Sequence, residues 1–114
     1  MRRRGEVWLA DLNPQRGTEP GKTRPVLLVQ TQALLDANHP STLVVPLTTQ
    51  LQDDAEPLRI RVPASGKLSK ESDLLIDQLR AIDNHRLVKG PLARLSHTQL
   101  HQVDQALAEI LDLL

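Results

Sequence analysis

The stretch Gly17-Thr18-Glu19-Pro20-Gly21-Lys22-Thr23-Arg24-Pro25-Val26-Leu27-Leu28-Val29 passes from a polar, glycine-punctuated loop straight into an apolar run. Arg24-Pro25 pushes the backbone into an extended conformation, and the valines and leucines that follow suit a strand buried on both faces. A loop that delivers one arginine to the first residue of a buried strand fixes a guanidinium at the rim of a β-fold, aimed at a ligand. Gly21-Lys22-Thr23 also raises a phosphate-binding P-loop. That motif needs a glycine where Arg16 stands, and Gly17 comes one residue too late. It also needs a helix to begin at the lysine, where this chain has Arg24-Pro25 and a strand.

Working outward, Gly5 to Leu12 is rich in strand formers and stops at the turn signal Asn13-Pro14. The loop from Asn13 to Thr23 lies between this first strand and the second, Arg24 to Gln30. Thr31 to Ser41 has room for a helical turn around Ala33-Leu34-Leu35. Thr42 to Thr48 is the third strand, and Pro46, which has no amide to donate, places it at an edge or on a bulge. With Gln30 near Thr42 in an antiparallel pair, Arg24 falls across from Thr48 on the same face. Leu51 to Pro57 is expected to be an exposed and disordered acidic loop. In Leu58 to Val62, Arg59 and Arg61 alternate with aliphatics. Gly66 to Glu71 is a turn, and Ser72 to Ile76 and Gln78 to Ile82 are two short strands or one bent at Asp77. From Ser96 the period becomes helical: Ser96 and Gln99 form a capping box, and Leu100, Val103, Leu107, Leu111 and Leu114 share a stripe. Five or six strands and a closing helix predict a mainly β fold, a small SH3-like barrel, as one domain over residues 1–114.

The 114 residues contain no cysteine, which removes disulfides and thiolate metal sites, and no run approaches a membrane span. A cytoplasmic protein is the expectation. Fourteen Lys and Arg balance fourteen Asp and Glu, so the sign distribution carries the information. Basic residues dominate the first two dozen positions and the stretch from Arg80 to Arg94, whereas only acids follow Ser96. That separation fits localised binding to a polyanion. Trp8 is the one aromatic residue, so a row of stacking rings cannot be built. Trp8 itself reads as partly buried core. His39, His85, His97 and His101 show no convergence in sequence toward a two-histidine acid–base site.

Arg4-Gly5-Glu6-Val7-Trp8, Asp11-Leu12-Asn13-Pro14, Gly17 to Val26, Val45-Pro46-Leu47-Thr48, Asp77-Gln78-Leu79-Arg80-Ala81-Ile82-Asp83 and Val103-Asp104-Gln105-Ala106-Leu107 occur in this order along nearly the whole chain. Together they resemble the MazF/PemK family of toxin endoribonucleases. The resemblance implies the toxin fold shared by CcdB and PemK, a homodimer, a cognate antitoxin, and cleavage of single-stranded RNA at short motifs without metal or other cofactor. It carries the catalytic pair over to Arg24 and Thr48. Gly17, Thr18, Glu19 and Lys22 of the loop, with Gln78, are the candidate substrate-binding residues.

Metal-free cleavage implies attack of a ribose 2'-hydroxyl on its own phosphate, giving a 2',3'-cyclic phosphate and a 5'-hydroxyl. The Arg24 fork suits the growing phosphate charge, and the Thr48 hydroxyl suits a phosphate oxygen or the 2'-hydroxyl. Two rivals are a gyrase-poisoning toxin like CcdB and a barrel that binds RNA or peptide without cutting it. The first acts through a tryptophan-containing carboxy terminus, where this chain has Ile110-Leu111-Asp112-Leu113-Leu114.

Overall fold

A computed structural model describes the chain except for Gln15, Glu19, Pro20 and Gly21. Its strands are β1 (Glu6–Asp11), β2 (Thr23–Leu28), β3 (Ser41–Thr48), β4 (Arg59–Val62), β5 (Ser72–Leu75), β6 (Arg80–Asp83) and β7 (Leu87–Arg94). A short helix, α1 (Gln32–Asp36), follows β2, and α2 (His97–Ile110) ends the fold. The sheet runs β4-β5-β3-β2-β1-β7, with β6 also paired to β3 and every pairing antiparallel. The sheet is barrel-like without closing. The β4–β5 loop bridges toward β7 where the Lys67 amide donates to the Leu92 carbonyl at 2.7 Å.

Both faces of the central strands are covered. Val7, Leu27, Val29, Val45 and Leu47 pack with Val103 and Ala106 of α2. Ala10, Leu12, Val26, Leu28 and Val44 form a second core with Ile82 and Leu87, and Trp8 packs against it. The helix begins as its capping box requires: Ser96 Oγ accepts from the Gln99 amide at 3.1 Å, and Gln99 Oε1 accepts from the Ser96 amide at 2.7 Å. The expected apolar stripe is used only in part, because the helix ends at Ile110 and leaves Leu111 and Leu114 exposed.

Two expectations are corrected. β3 lies inside the sheet instead of at its edge. On the side away from β2 it pairs with β6 through residues 41–44 and with β5 through 47–48, and Pro46 falls in the gap between those partners. A strand that changes neighbours tolerates a missing donor at the changeover. The second correction is β7, a strand that the sequence reading does not assign and whose pattern Gly90-Pro91 interrupts. β7 is an edge strand, and the interruption is accommodated by a bulge: Val7 pairs with Ala93 and Leu9 with Lys89, so three residues stand opposite Trp8. Of the two alternatives for residues 72–82 the structure has two short strands, β5 and β6, separated by a 3-10 turn over Ile76–Gln78.

The bulge fits the indole closely. A Cβ added at Gly90 would lie 2.3 Å from Trp8 Cδ2 and 2.5 Å from Cγ. The indole is also fixed elsewhere: its N–H donates to Glu6 at 3.1 Å, and the Arg2 guanidinium lies 5.7 Å from the ring centroid. Gly90→Ala is therefore expected to destabilise the protein by about 2 kcal/mol through overpacking. Urea unfolding checks this, with a midpoint equal to wild type as the contrary result.

Candidate active site

Local sequence sets the positions of Arg24 and Thr48. β2 and β3 pair Val26 with Pro46, Leu27 with Val45 and Leu28 with Val44. Continuing that register by two residues puts Arg24 opposite Thr48, as the strand reading expects, and both line one cavity of about 670 Å³. On its other side Arg24 pairs with Ala10 of β1, and Thr48 pairs with Asp73 of β5. Asp73 in turn faces Arg61 of β4. Arg24 and Thr48 thus stand between Ala10 on one side and the Asp73–Arg61 pair on the other.

Arg24 is half-buried and its Nη1 donates to the Leu47 carbonyl at 3.3 Å, which holds the guanidinium against β3 beside Thr48. Thr48 Oγ1 accepts from the Gln50 amide at 3.2 Å. That bond occupies a lone pair of the hydroxyl and leaves its proton to be donated elsewhere.

The loop after β3 is exposed, but it is tied down, contrary to the expectation of disorder. Asp73, 1% exposed, accepts from the Gln52 amide at 2.9 Å, from Arg59 at 3.2 Å and from Arg61 Nε at 2.8 Å. Arg59 Nη1 also donates to the Gln50 carbonyl at 2.8 Å, and Arg61 Nη1 to Asp53 at 2.6 Å. Burial pushes the Asp73 carboxyl up, yet Arg61, the Gln52 amide and Arg59 outweigh it and hold the group below the ordinary carboxylate range. Arg61 is pushed up by Asp73 and Asp53.

The other sequence candidates are distributed unevenly. Lys22 lines the cavity, and its backbone is fixed by bonds to Asn13 Oδ1 and the Leu12 amide. Gly17, with φ of +55°, and Thr18 are exposed and do not line it. Glu19 lies outside the described residues. Gln78 sits in the 3-10 turn packed on α2, also away from the cavity lining. The cavity holds residues that the sequence reading missed or treated as ordinary surface: Arg59, Lys67, Lys70 and Lys89. Lys67 and Lys70 flank the β4–β5 turn, and a pair of lysines beside a glycine turn is a usable signal once the topology brings that turn to the site. Among the described residues, no group of three or more His, Asp or Glu gathers as a metal site.

Comparison with known proteins places this geometry in context. A family model described as a PemK-like, MazF-like toxin of a type II toxin–antitoxin system matches residues 3–111. The chain is similar to endoribonuclease MazF of Staphylococcus saprophyticus subsp. saprophyticus, with 35% identity over 108 residues that cover 94% of this chain and 88% of that protein. Among solved structures it resembles MazF of Deinococcus radiodurans, with a TM-score of 0.77, 24% identity, and coverage of 95% and 94% of the two chains. It also resembles a mycobacterial endoribonuclease solved with its cognate antitoxin, with a TM-score of 0.77, 21% identity, and coverage of 100% and 98%.

The Asp73 cluster has a pH signature. A carboxyl whose folded pKa is depressed contributes stability above its unfolded value, near 3.8, and loses it as pH falls through the folded value. At pH 6, Asp73→Asn is expected to cost about 2 kcal/mol, below the full penalty for orphaning buried charges, because both guanidiniums keep some contact with water. Below pH 4 the gap between the variant and wild type should narrow. Urea unfolding across pH 3 to 7 checks this; a gap constant with pH would contradict it.

Proposed function

Because the chain belongs to the PemK-like, MazF-like family of type II toxin–antitoxin toxins, we propose that it is a toxin endoribonuclease. It cuts single-stranded RNA, mRNA in particular, at a short sequence motif in the cytoplasm, using the cavity at the ends of β2 and β3. One observation carries this reading. On a chain of zero formal charge, the six charged residues that line that cavity among the described residues are all cations: Lys22, Arg24, Arg59, Lys67, Lys70 and Lys89. Among the described residues the side chains of Lys22, Lys67, Lys70 and Lys89 have no acidic partner. A polyanion recruited there meets Arg24 and Thr48.

In the proposed reaction the 2'-oxygen attacks the adjacent phosphorus, the bond to the 5'-oxygen breaks, and a 2',3'-cyclic phosphate and a 5'-hydroxyl result. The proton lost from the 2'-hydroxyl is balanced by the one gained by the leaving oxygen. Arg24 presents a planar fork to the non-bridging oxygens as their charge grows, and Thr48 adds its hydroxyl proton. Arg24 is a charge stabiliser in this scheme, since a guanidinium keeps its proton at any working pH. The proposal includes a homodimer and a cognate antitoxin, an extended acidic chain that orders on the cationic face.

Two outcomes are expected. Cleavage of a long mixed-sequence RNA in EDTA should yield discrete fragments ending in cyclic phosphate, and Arg24→Lys, which keeps the charge and loses the fork, should slow single-turnover cleavage about 10²- to 10³-fold. Near-wild-type cleavage by Arg24→Lys, or fragments only with divalent metal, would refute the scheme. Lys67→Gln/Lys70→Gln should lower the slope of log affinity against log salt by about 1.4, two contacts at about 0.7 each for a single strand. An unchanged slope would place the RNA elsewhere.

A further inference from the structure

Among the cations of the cavity, Arg59 is bound to two groups of the protein at once. Its Nη1 donates to Asp73, which is buried and paired within the sheet, and also to the carbonyl of Gln50. Gln50 is itself held at both ends of its backbone: its carbonyl accepts from Arg59, and its amide donates to Thr48 Oγ1. Gln50 is exposed and lies just beyond the last residue of β3. Without such ties its peptide groups would be free to rotate in solvent.

We propose that Arg59 is a positioning residue that acts through Thr48. Asp73 anchors the guanidinium, the guanidinium fixes the Gln50 backbone, and the Gln50 amide holds the Thr48 oxygen from behind. A hydroxyl has one proton and can rotate about its C–O bond, so an acceptor contact on one side directs the proton to the other. In this site the other side is the cavity. Arg59 therefore contributes to the rate without touching the scissile phosphate. The inference rests on Thr48 contacting that phosphate, as proposed above, and adds the route by which the fold orients it.

The rival role for Arg59 is direct attraction of an RNA phosphate, since it also lines the cavity. The two roles separate in kinetics. A phosphate contact affects the RNA concentration giving half the maximal single-turnover rate, whereas a positioning contact lowers the rate at saturation. They also separate in the free protein, where only the positioning role releases the Gln50 amide.

The experiment uses the full chain with a long single-stranded viral genomic RNA and compares wild type, Arg59→Met and Thr48→Ala. Arg59→Met is expected to lower the saturated rate about 10- to 100-fold, the scale of a misplaced catalytic group. The half-saturating RNA concentration should change by less than about threefold, since one contact of a single-stranded site is lost at most. In amide hydrogen exchange without RNA, Gln50 should exchange faster in Arg59→Met and in Thr48→Ala alike. If Arg59→Met proves unfolded by circular dichroism, Arg59→Lys is read by the same criteria. A saturated rate equal to wild type, a loss confined to the half-saturating concentration, or an unchanged Gln50 exchange rate overturns the inference. Full activity in Thr48→Ala would instead remove the role of Thr48, and this inference with it; an inactive Thr48→Ala beside a fully active Arg59→Met overturns the inference alone.

Discussion

The buried amide of Gln30 fixes the pairing on which the site depends. Its Nε2 donates to the Ser41 carbonyl at 3.1 Å, and its Oε1 accepts from the Leu43 amide at 3.1 Å, so one side chain brackets the start of β3. Apolar patterning alone would not set this register, because β2 and β3 are covered on both faces and a one-residue slip would exchange one aliphatic set for another. Such a slip would leave the Gln30 amide buried and unpaired, at a cost of about 1–3 kcal/mol for each orphaned group. Thr42, which donates to Asn84 at 2.7 Å, adds a second polar marker at the same end. Register chosen there is transmitted along β3, and at the far end it sets Arg24 against Thr48.

The charge distribution follows a division of labour that net charge conceals. Several acids are spent on arginines of the chain itself: the buried Glu6 on Arg94, the partly exposed Asp104 on Arg4, and the buried Asp73 on Arg59 and Arg61. Glu6 shows how firmly one is held. Burial raises its pKa, but the Arg3 amide, the Trp8 indole and Arg94 together bring it below the ordinary value. Basic side chains near the sequence ends of strands are also used structurally, as when Arg86 donates to the carbonyls of Asp11 and Asn13. Among the described residues, the lysines lining the cavity have no acidic partner. A chain with equal numbers of acids and bases can therefore present a concave cationic surface, and screening by salt acts on that surface more than on the buried pairs.

The sequence makes the local elements readable and hides those that depend on a distant partner. β1, β2, β3, β4 and the helix cap are visible because periodicity, turn residues and the Ser96–Gln99 pair are local signals. The opposition of Arg24 and Thr48 follows from a premise, Gln30 near Thr42, and the observed β2–β3 pairs continue to that same register. Pro46 misleads, since its tolerance depends on β3 changing partners between β6 and β5, which no window around residue 46 contains. Arg59 looks like a solvent-facing residue of an alternating strand, and its alternation is correct. What a local window hides is that its guanidinium meets Asp73 diagonally across the β4–β5 pair and that the loop after β3 returns over the same edge. The loop itself reads as disordered from composition, while three contacts to one buried carboxylate and its two arginines hold it.

The irregularity that obscures β7 also explains how Lys89 reaches the cavity. Lys89 and Leu87 are two residues apart and would face the same side of a regular strand. Their partners in β1, Leu9 and Ala10, are consecutive and face opposite sides. The extra residue between these pairs, the exposed Val88, lets β7 twist so that Leu87 joins the second core with Ala10 while Lys89 lines the cavity with Leu9. In the neighbouring bulge, opposite Trp8, Gly90 lies against the indole ring. Bulges turn side chains in this way at sheet edges. The same departures from strand pattern that make β7 hard to recognise thus let one edge strand contribute a leucine to the core and a lysine to the lining of the cavity.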